Sequence, residues 1–171
     1  GYFIGGRWAD RSPYYITLYR ILIWGAFLSA LMPLAARPIL RAAATAVAGA
    51  EAALALGSFI SVLVLFSVPI TLLGCVSPFA IRLAIHDPAE AGQTSGQIYA
   101  VSTLGSLVGT FAPVLFLIPE LGTFRTFLLF SGILYAVGLI GLFQHQGLKS
   151  LRWLWMPVLI GALSAWALSG P

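Results

Sequence analysis

Residues 52–81 read AALALGSFISVLVLFSVPITLLGCVSPFAI, without a single charged side chain. About 20 apolar residues in a helix cross the hydrocarbon core of a bilayer, and this run is longer than that. Dividing it into two helices would require a tight polar turn, and none is present. The run therefore predicts one long, tilted helix over about residues 54–83, kinked at Pro69, where a backbone N–H is missing. Glu51 precedes it and Arg82 follows it.

The composition of the whole chain agrees with that reading. Of its 171 residues 60% are hydrophobic and 8% are charged, with a mean hydropathy of +0.97. A soluble domain carries about 25% charged residues, so this chain lacks the groups to cover a water-facing surface. A bilayer removes that requirement, because lipid tails face the outside. The net charge is +4 and the pI near 9.6, but the nine Lys and Arg are scattered between apolar stretches. They read as topology signals at membrane surfaces rather than as a nucleic-acid footprint. Cys75 is the only cysteine and lies in an apolar stretch, which excludes an intrachain disulfide and predicts a small buried side chain. No leader with a basic start, an apolar middle and a small-residue cleavage site is visible. The chain opens at Gly1 inside a motif, which predicts a fragment with at least one more helix upstream.

Four more spans flank the central run, at about residues 16–36, 97–118, 124–143 and 153–168. Tyr14, Tyr15, Tyr19 and Trp24 gather at the start of the first as an interfacial aromatic belt, and Arg20 can extend its stem to the surface. Residues 37–50 are Ala-rich, with Pro38 as a breaker, and predict a loop or short surface helix. Residues 86–96, HDPAEAGQTSG, are the most polar stretch and predict a solvent loop opened by Asp87-Pro88. Pro119-Glu120-Leu121-Gly122 closes the third span, and residues 144–149 are polar again. The expected architecture is all-α: one polytopic transmembrane bundle with about five spans. Arg7, Arg11, Arg20, Arg82, Lys149 and Arg152 fall on one side, and Arg37, Arg41 and Arg125 on the other. The larger group marks the cytoplasmic side, which places residues 1–13, 84–96 and 144–152 in the cytoplasm of a cell whose inner membrane holds the chain.

Two stretches carry motifs. In the opening GYFIGGRWADR, Gly1, Gly5 and Gly6 allow a neighbouring helix to approach closely, and Arg7, Asp10 and Arg11 form a charged cytoplasmic loop able to bridge helix ends. That cluster resembles the glycine-aspartate-arginine loop between the second and third helices of major facilitator transporters; the alternative is a plain topology anchor. In the third span Gly105 and Gly109 form a G-x-x-x-G pair, while Ser102, Ser106 and Thr110 repeat on an adjacent stripe. Lipid supplies no hydrophobic drive between helices, so small residues and hydroxyls mark packing faces. These five residues predict a face buried against another helix. Whether they also line a solute path is open.

From Gly96 to Thr126 the chain resembles the membrane part of bacterial membrane-bound, facilitator-fused spermidine synthase-like proteins. The residues that carry the likeness are Gly96, Tyr99, Ala100, Thr103, Gly105, Ser106 and Gly109, followed by Leu117, Ile118, Pro119, Leu121 and Gly122, and by Pro69, Gly74 and Pro78 in the preceding span. The resemblance covers about residues 1–143 and implies a facilitator-like half-bundle with a transport-related role. Family members that make polyamines add a soluble aminopropyltransferase domain with a Gly-rich loop and acidic acceptor residues. These 171 residues contain neither, so no catalytic residue is carried over.

Nothing else points to chemistry. His86 and His145 lie in loops without ligand spacing, and there is no phosphate loop; no catalytic, cofactor or metal site is expected. Glu51 opens the second helix, where a carboxylate favours the positive helix end; its sharper reading is a contact for an ion or amine solute. Expected partners are the lipid bilayer, other transmembrane helices or subunits and a small solute, but no nucleic acid. Three functions stay open: a non-catalytic transporter-like domain handling a small cationic or amphipathic solute, an accessory subunit of a larger membrane complex, or the membrane anchor of an aminopropyltransferase.

Overall fold

The computed structural model describes residues 1–46, 51–85 and 87–169. Helix α1 is Tyr2–Arg11, α2 Tyr15–Ala46, α3 Glu51–Gly74, α4 Val76–Ala84, α5 Ala91–Ala112, α6 Ile118–Gln146 and α7 Trp155–Ser169. Short 3-10 turns cover Pro88–Glu90 and Gly147–Trp153, and a π-helical segment, Pro113–Leu117, joins α5 to α6. The described residues are all-helical, and three helical runs are long and apolar enough to cross a membrane: Tyr15–Ala36, Leu56–Ala84 and Pro88–Trp153.

Helix α2 is the centre. It runs antiparallel to α3–α4 and to α6: Tyr15 donates to the Leu83 carbonyl at 3.3 Å, Gly25 abuts Leu73, and Gly138 of α6 abuts Ile23. One side of α2 packs Ile21 against Ala9, Cys75, Phe79 and Leu83. The other packs Ile23 and Phe27 against Leu142 and Met156. A helix apolar on every side belongs in such a position. The outside is apolar as well, with Leu56, Val64, Val101, Leu104, Val108 and Val158 all exposed. So continuous an apolar surface is a liability in water and the expected surface in lipid.

Small residues set the tightest contacts. A Cβ on Gly1 would lie 2.6 Å from Gly74 Cα, and one on Gly5 would lie 2.6 Å from Cys75 Cα, so α1 rests directly on the α3–α4 junction. Gly6 has nothing within 4 Å and takes no part in this approach. Gly138 and Gly141 do the same for α6, whose backbone lies against Tyr19 and Ile23. Without these glycines the helices could not come close enough for dispersion contacts to hold them in lipid.

Several boundaries differ from expectation. Residues 7–11 belong to α1, and the turn falls at residues 12–14, so the charged loop is a helix end. Helix α2 continues through Pro33 and Pro38 to Ala46, over 32 residues, in place of a loop at 37–46. Its Ala-rich tail supplies strong helix propensity, and residues 47–50 lie outside the described set. The run 52–81 is not kinked into a single helix at Pro69, which sits inside α3. It breaks at Cys75, between α3 and α4. The cause is Pro78: a proline ring clashes with the carbonyl four residues back, here that of Gly74. The polar loop is shorter than 86–96, because Asp87 Oδ1 accepts from the Ala89 N–H at 2.9 Å and α5 starts at Ala91; His86 lies outside the described residues. The expected close of the third span within Pro119–Gly122 falls at Gly122, whose φ 78 and ψ 161 separate it from the fourth span, although the helical run continues on both sides. Finally, α7 has 15 residues, about 22 Å at 1.5 Å per residue, short of the about 30 Å core. The 3-10 turn through Trp153 takes up the start of the expected fifth span.

Candidate functional site

Charged and aromatic residues meet at one end of the bundle. Asp10 Oδ1 lies 3.4 Å from Arg82 Nε, tying α1 to α4. Arg7 instead stacks over Phe3, 4.3 Å from the ring centre. Tyr15 and Tyr19 stack on His145, with ring centres 5.3 and 5.7 Å apart, joining α2 to α6. The predicted bridging of helix ends is therefore made by Asp10 with Arg82, while Arg7 and Arg11 sit exposed on α1. His145 is an aromatic packing partner at the bundle end. Exposed ion pairs of this kind contribute only about 0–1 kcal/mol, so this end is a tether and not an anchor of stability.

The expected packing face on α5 is not covered by the described chain. Ser102, Gly105, Ser106, Gly109 and Thr110 are all exposed, and a Cβ on Gly105 or Gly109 would meet nothing within 4 Å. Helix α5 packs on α4 and on the helical segments that adjoin it. The hydroxyl stripe lines an open groove of about 480 Å³ instead. Tyr99, Ser102, Ser106, Thr110 and Phe111 form one wall and Tyr2 of α1 reaches it from the other side. Thr103 and Thr110 spend their hydroxyl protons on the Tyr99 and Ser106 carbonyls, each at 2.8 Å, which leaves their oxygens as acceptors toward the groove.

A second groove, of about 490 Å³, is enclosed by α2, α3, the π-helical segment and α6. Its walls are Leu73, Pro113, Ile118, Phe127, Phe130 and Leu134; Ser29, Thr123, Thr126 and Ser131 also line it, but the surface they present to it is almost wholly carbon. Thr126 donates to the Gly122 carbonyl at 2.9 Å and so supports the break in the helix. The volume is that of a site for a small organic molecule. Backbone of π-helical type recurs at functional sites, and here it forms one wall. No Asp, Glu, Lys or Arg lines either groove among the described residues.

Glu51 is the first residue of α3, as expected, but its side chain lies outside the described set, so no contact with a solute is assigned to it. Among the described residues no group of three His, Cys, Asp or Glu side chains converges as a metal site would require. Comparison with models of protein families, with curated proteins and with solved structures found no match. The resemblance to the spermidine synthase-like family rests on the sequence motifs alone.

Sequence reasoning passed over the apolar groove. Its signals were Pro113 inside a span, which forces an irregular turn, and the Thr123-Phe124-Arg125-Thr126 step after the Gly122 break. Ser29 and Ser131 gave no signal, since isolated serines are common in membrane helices.

Proposed function

We propose that the chain is a non-catalytic, transporter-like membrane domain of the spermidine synthase-like type, and that the hydroxyl-lined groove on α5 and the apolar groove at Pro113 hold a small amphipathic solute. The observation that carries this reading is the hydroxyl stripe of α5, which lines an open groove at membrane depth. Polar groups there are costly unless they pack or serve a path. The hydroxyls offer hydrogen bonds to a polar or ammonium end, and the rings of Tyr2, Tyr99 and Phe111 offer cation–π faces. The apolar groove suits a hydrocarbon body. A polyamine's several charges would find no carboxylate among the described lining residues, so a solute with one polar end fits better. In this reading residues 1–13, 84–96 and 144–152 face the cytoplasm of a bacterial inner membrane.

The test uses protein in lipid nanodiscs, unfolded thermally and followed by tryptophan fluorescence. Hexylamine should raise the midpoint saturably and spermidine much less. Ser106→Ala combined with Thr110→Val should remove most of the hexylamine effect. An unchanged midpoint with both amines, or equal shifts in wild type and variant, sinks the reading.

A second reading is an accessory subunit of a larger membrane complex. It is favoured by the bare Gly105 and Gly109, which would admit a helix from another chain. Purification in mild detergent with the same large partners at constant stoichiometry would support it.

A further inference from the structure

We propose that the segment Pro113–Gly122 is a movable strap that opens and closes the apolar groove. Two backbone irregularities bracket it. Pro113 has no N–H, and Ile118 bonds to the Pro113 carbonyl five residues back instead of four, which loosens the turn. Gly122 holds φ 78 and ψ 161, a conformation open to glycine and strained for other residues. Between them Val114, Leu115 and Phe116 are 61%, 58% and 66% exposed, so few contacts within the chain hold the segment in place.

The strap is one wall of the groove, through Pro113 and Ile118. The opposing residues stand on α2, α3 and α6, which pack on one another through Gly25, Gly138 and Gly141. One wall is thus held at two weak points and the others belong to a tight frame. Helix α5, which leads into the strap, packs on α4 and on the helical segments that adjoin it. Tilting α5 by about 20° about its midpoint carries Pro113, about 17 Å along the helix at 1.5 Å per residue, through about 6 Å. That displacement is comparable with the width of a small-molecule groove, so it gates entry from the bilayer side. Gly122 absorbs the change, as hinge residues at element ends do.

The strap concerns the same groove as the functional reading, yet its motion is measured without a solute, so failure of one leaves the other standing. The full chain carrying Cys75→Ala receives spin labels at Leu115 and Ile140, and electron–electron double resonance is recorded in phosphatidylethanolamine/phosphatidylglycerol nanodiscs. Val64 with Ile140 serves as the frame control. The expected result is a Leu115–Ile140 distribution that is bimodal or broader than the control by several ångströms. Pro113→Ala, which restores the N–H, should collapse it to one narrow peak. A wild-type distribution as narrow as the control overturns the proposal, as does a broad one unaffected by a folded Pro113→Ala. If that variant does not fold, the wild-type comparison with the control decides alone.

Discussion

Gly5 and Gly6 are neighbours in α1 with the same chemistry and opposite surroundings. A Cβ on Gly5 would lie 2.6 Å from Cys75 Cα, and 2.9 Å from Cys75 Cβ and Pro78 Cγ. Carbon pairs rest at about 3.5–4.0 Å, so an added methyl must drive α1 off the junction by about 1 Å. The first atom it meets is backbone at the α3–α4 turn, which has no rotamer to change. A Cβ on Gly6 meets nothing within 4 Å. Both Gly→Ala changes gain the same helix propensity, about 1 kcal/mol, and that gain cancels when the variants are compared. What remains is the overpacking cost, about 1–3 kcal/mol. Gly5→Ala is therefore expected to be less stable than Gly6→Ala by that amount.

The assay is unfolding by SDS in dodecyl maltoside micelles, followed by tryptophan fluorescence. Trp8 reports on this contact directly, because its ring meets Phe79 of α4 edge-on at 5.8 Å. Gly6→Ala should unfold at or above the wild-type midpoint and Gly5→Ala below it. Equal midpoints for the two variants would show that α1 does not rest on α4 through Gly5, and the packing argument would fall with it.

Two further outcomes are expected. Tyr135→Phe removes the hydroxyl that donates to the Trp153 carbonyl at 2.6 Å. The part-buried acceptor then stays unpaired at a cost of about 1–3 kcal/mol, and limited proteolysis should cut first between α6 and α7; an unchanged digestion pattern would count against it. In a Cys75→Ala background, a cysteine at Leu148 should escape a membrane-impermeant maleimide until cells are opened, while one at Leu121 should react in intact spheroplasts. The reverse pattern would invert the assigned orientation.

Much of the bundle was legible because hydropathy in lipid is a blunt rule. The span expected at 16–36 matches the apolar run Tyr15–Ala36, and the charge-free stretch 52–81 overlaps most of Leu56–Ala84. Gly1 and Gly5 were readable as close-approach residues for the same reason. The break at Cys75 was not, since Pro69 and Pro78 look alike in sequence. Each ring threatens the carbonyl four residues back, and which helix yields depends on what packs there. At Gly74 the start of α1 sits in contact and the chain turns, whereas α3 continues through Pro69. The groove at Pro113 was hidden because it needs three separate helices to define it.

The small residues of α5 carry the sharpest consequence. The same rule that explains Gly5, Gly138 and Gly141 demanded a partner for Gly105 and Gly109, and the described chain supplies none. In hydrocarbon a bare row of hydroxyls has two stable fates: a solute or water path along it, or a helix from another chain over it. The fates separate by residue. Hydroxyl removal at Ser106 and Thr110 weakens a path and leaves close packing at the glycines intact, because glycine contacts depend on missing side chains and not on hydrogen bonds. One face of one helix thus decides between a chain that handles a solute and a chain that completes an assembly.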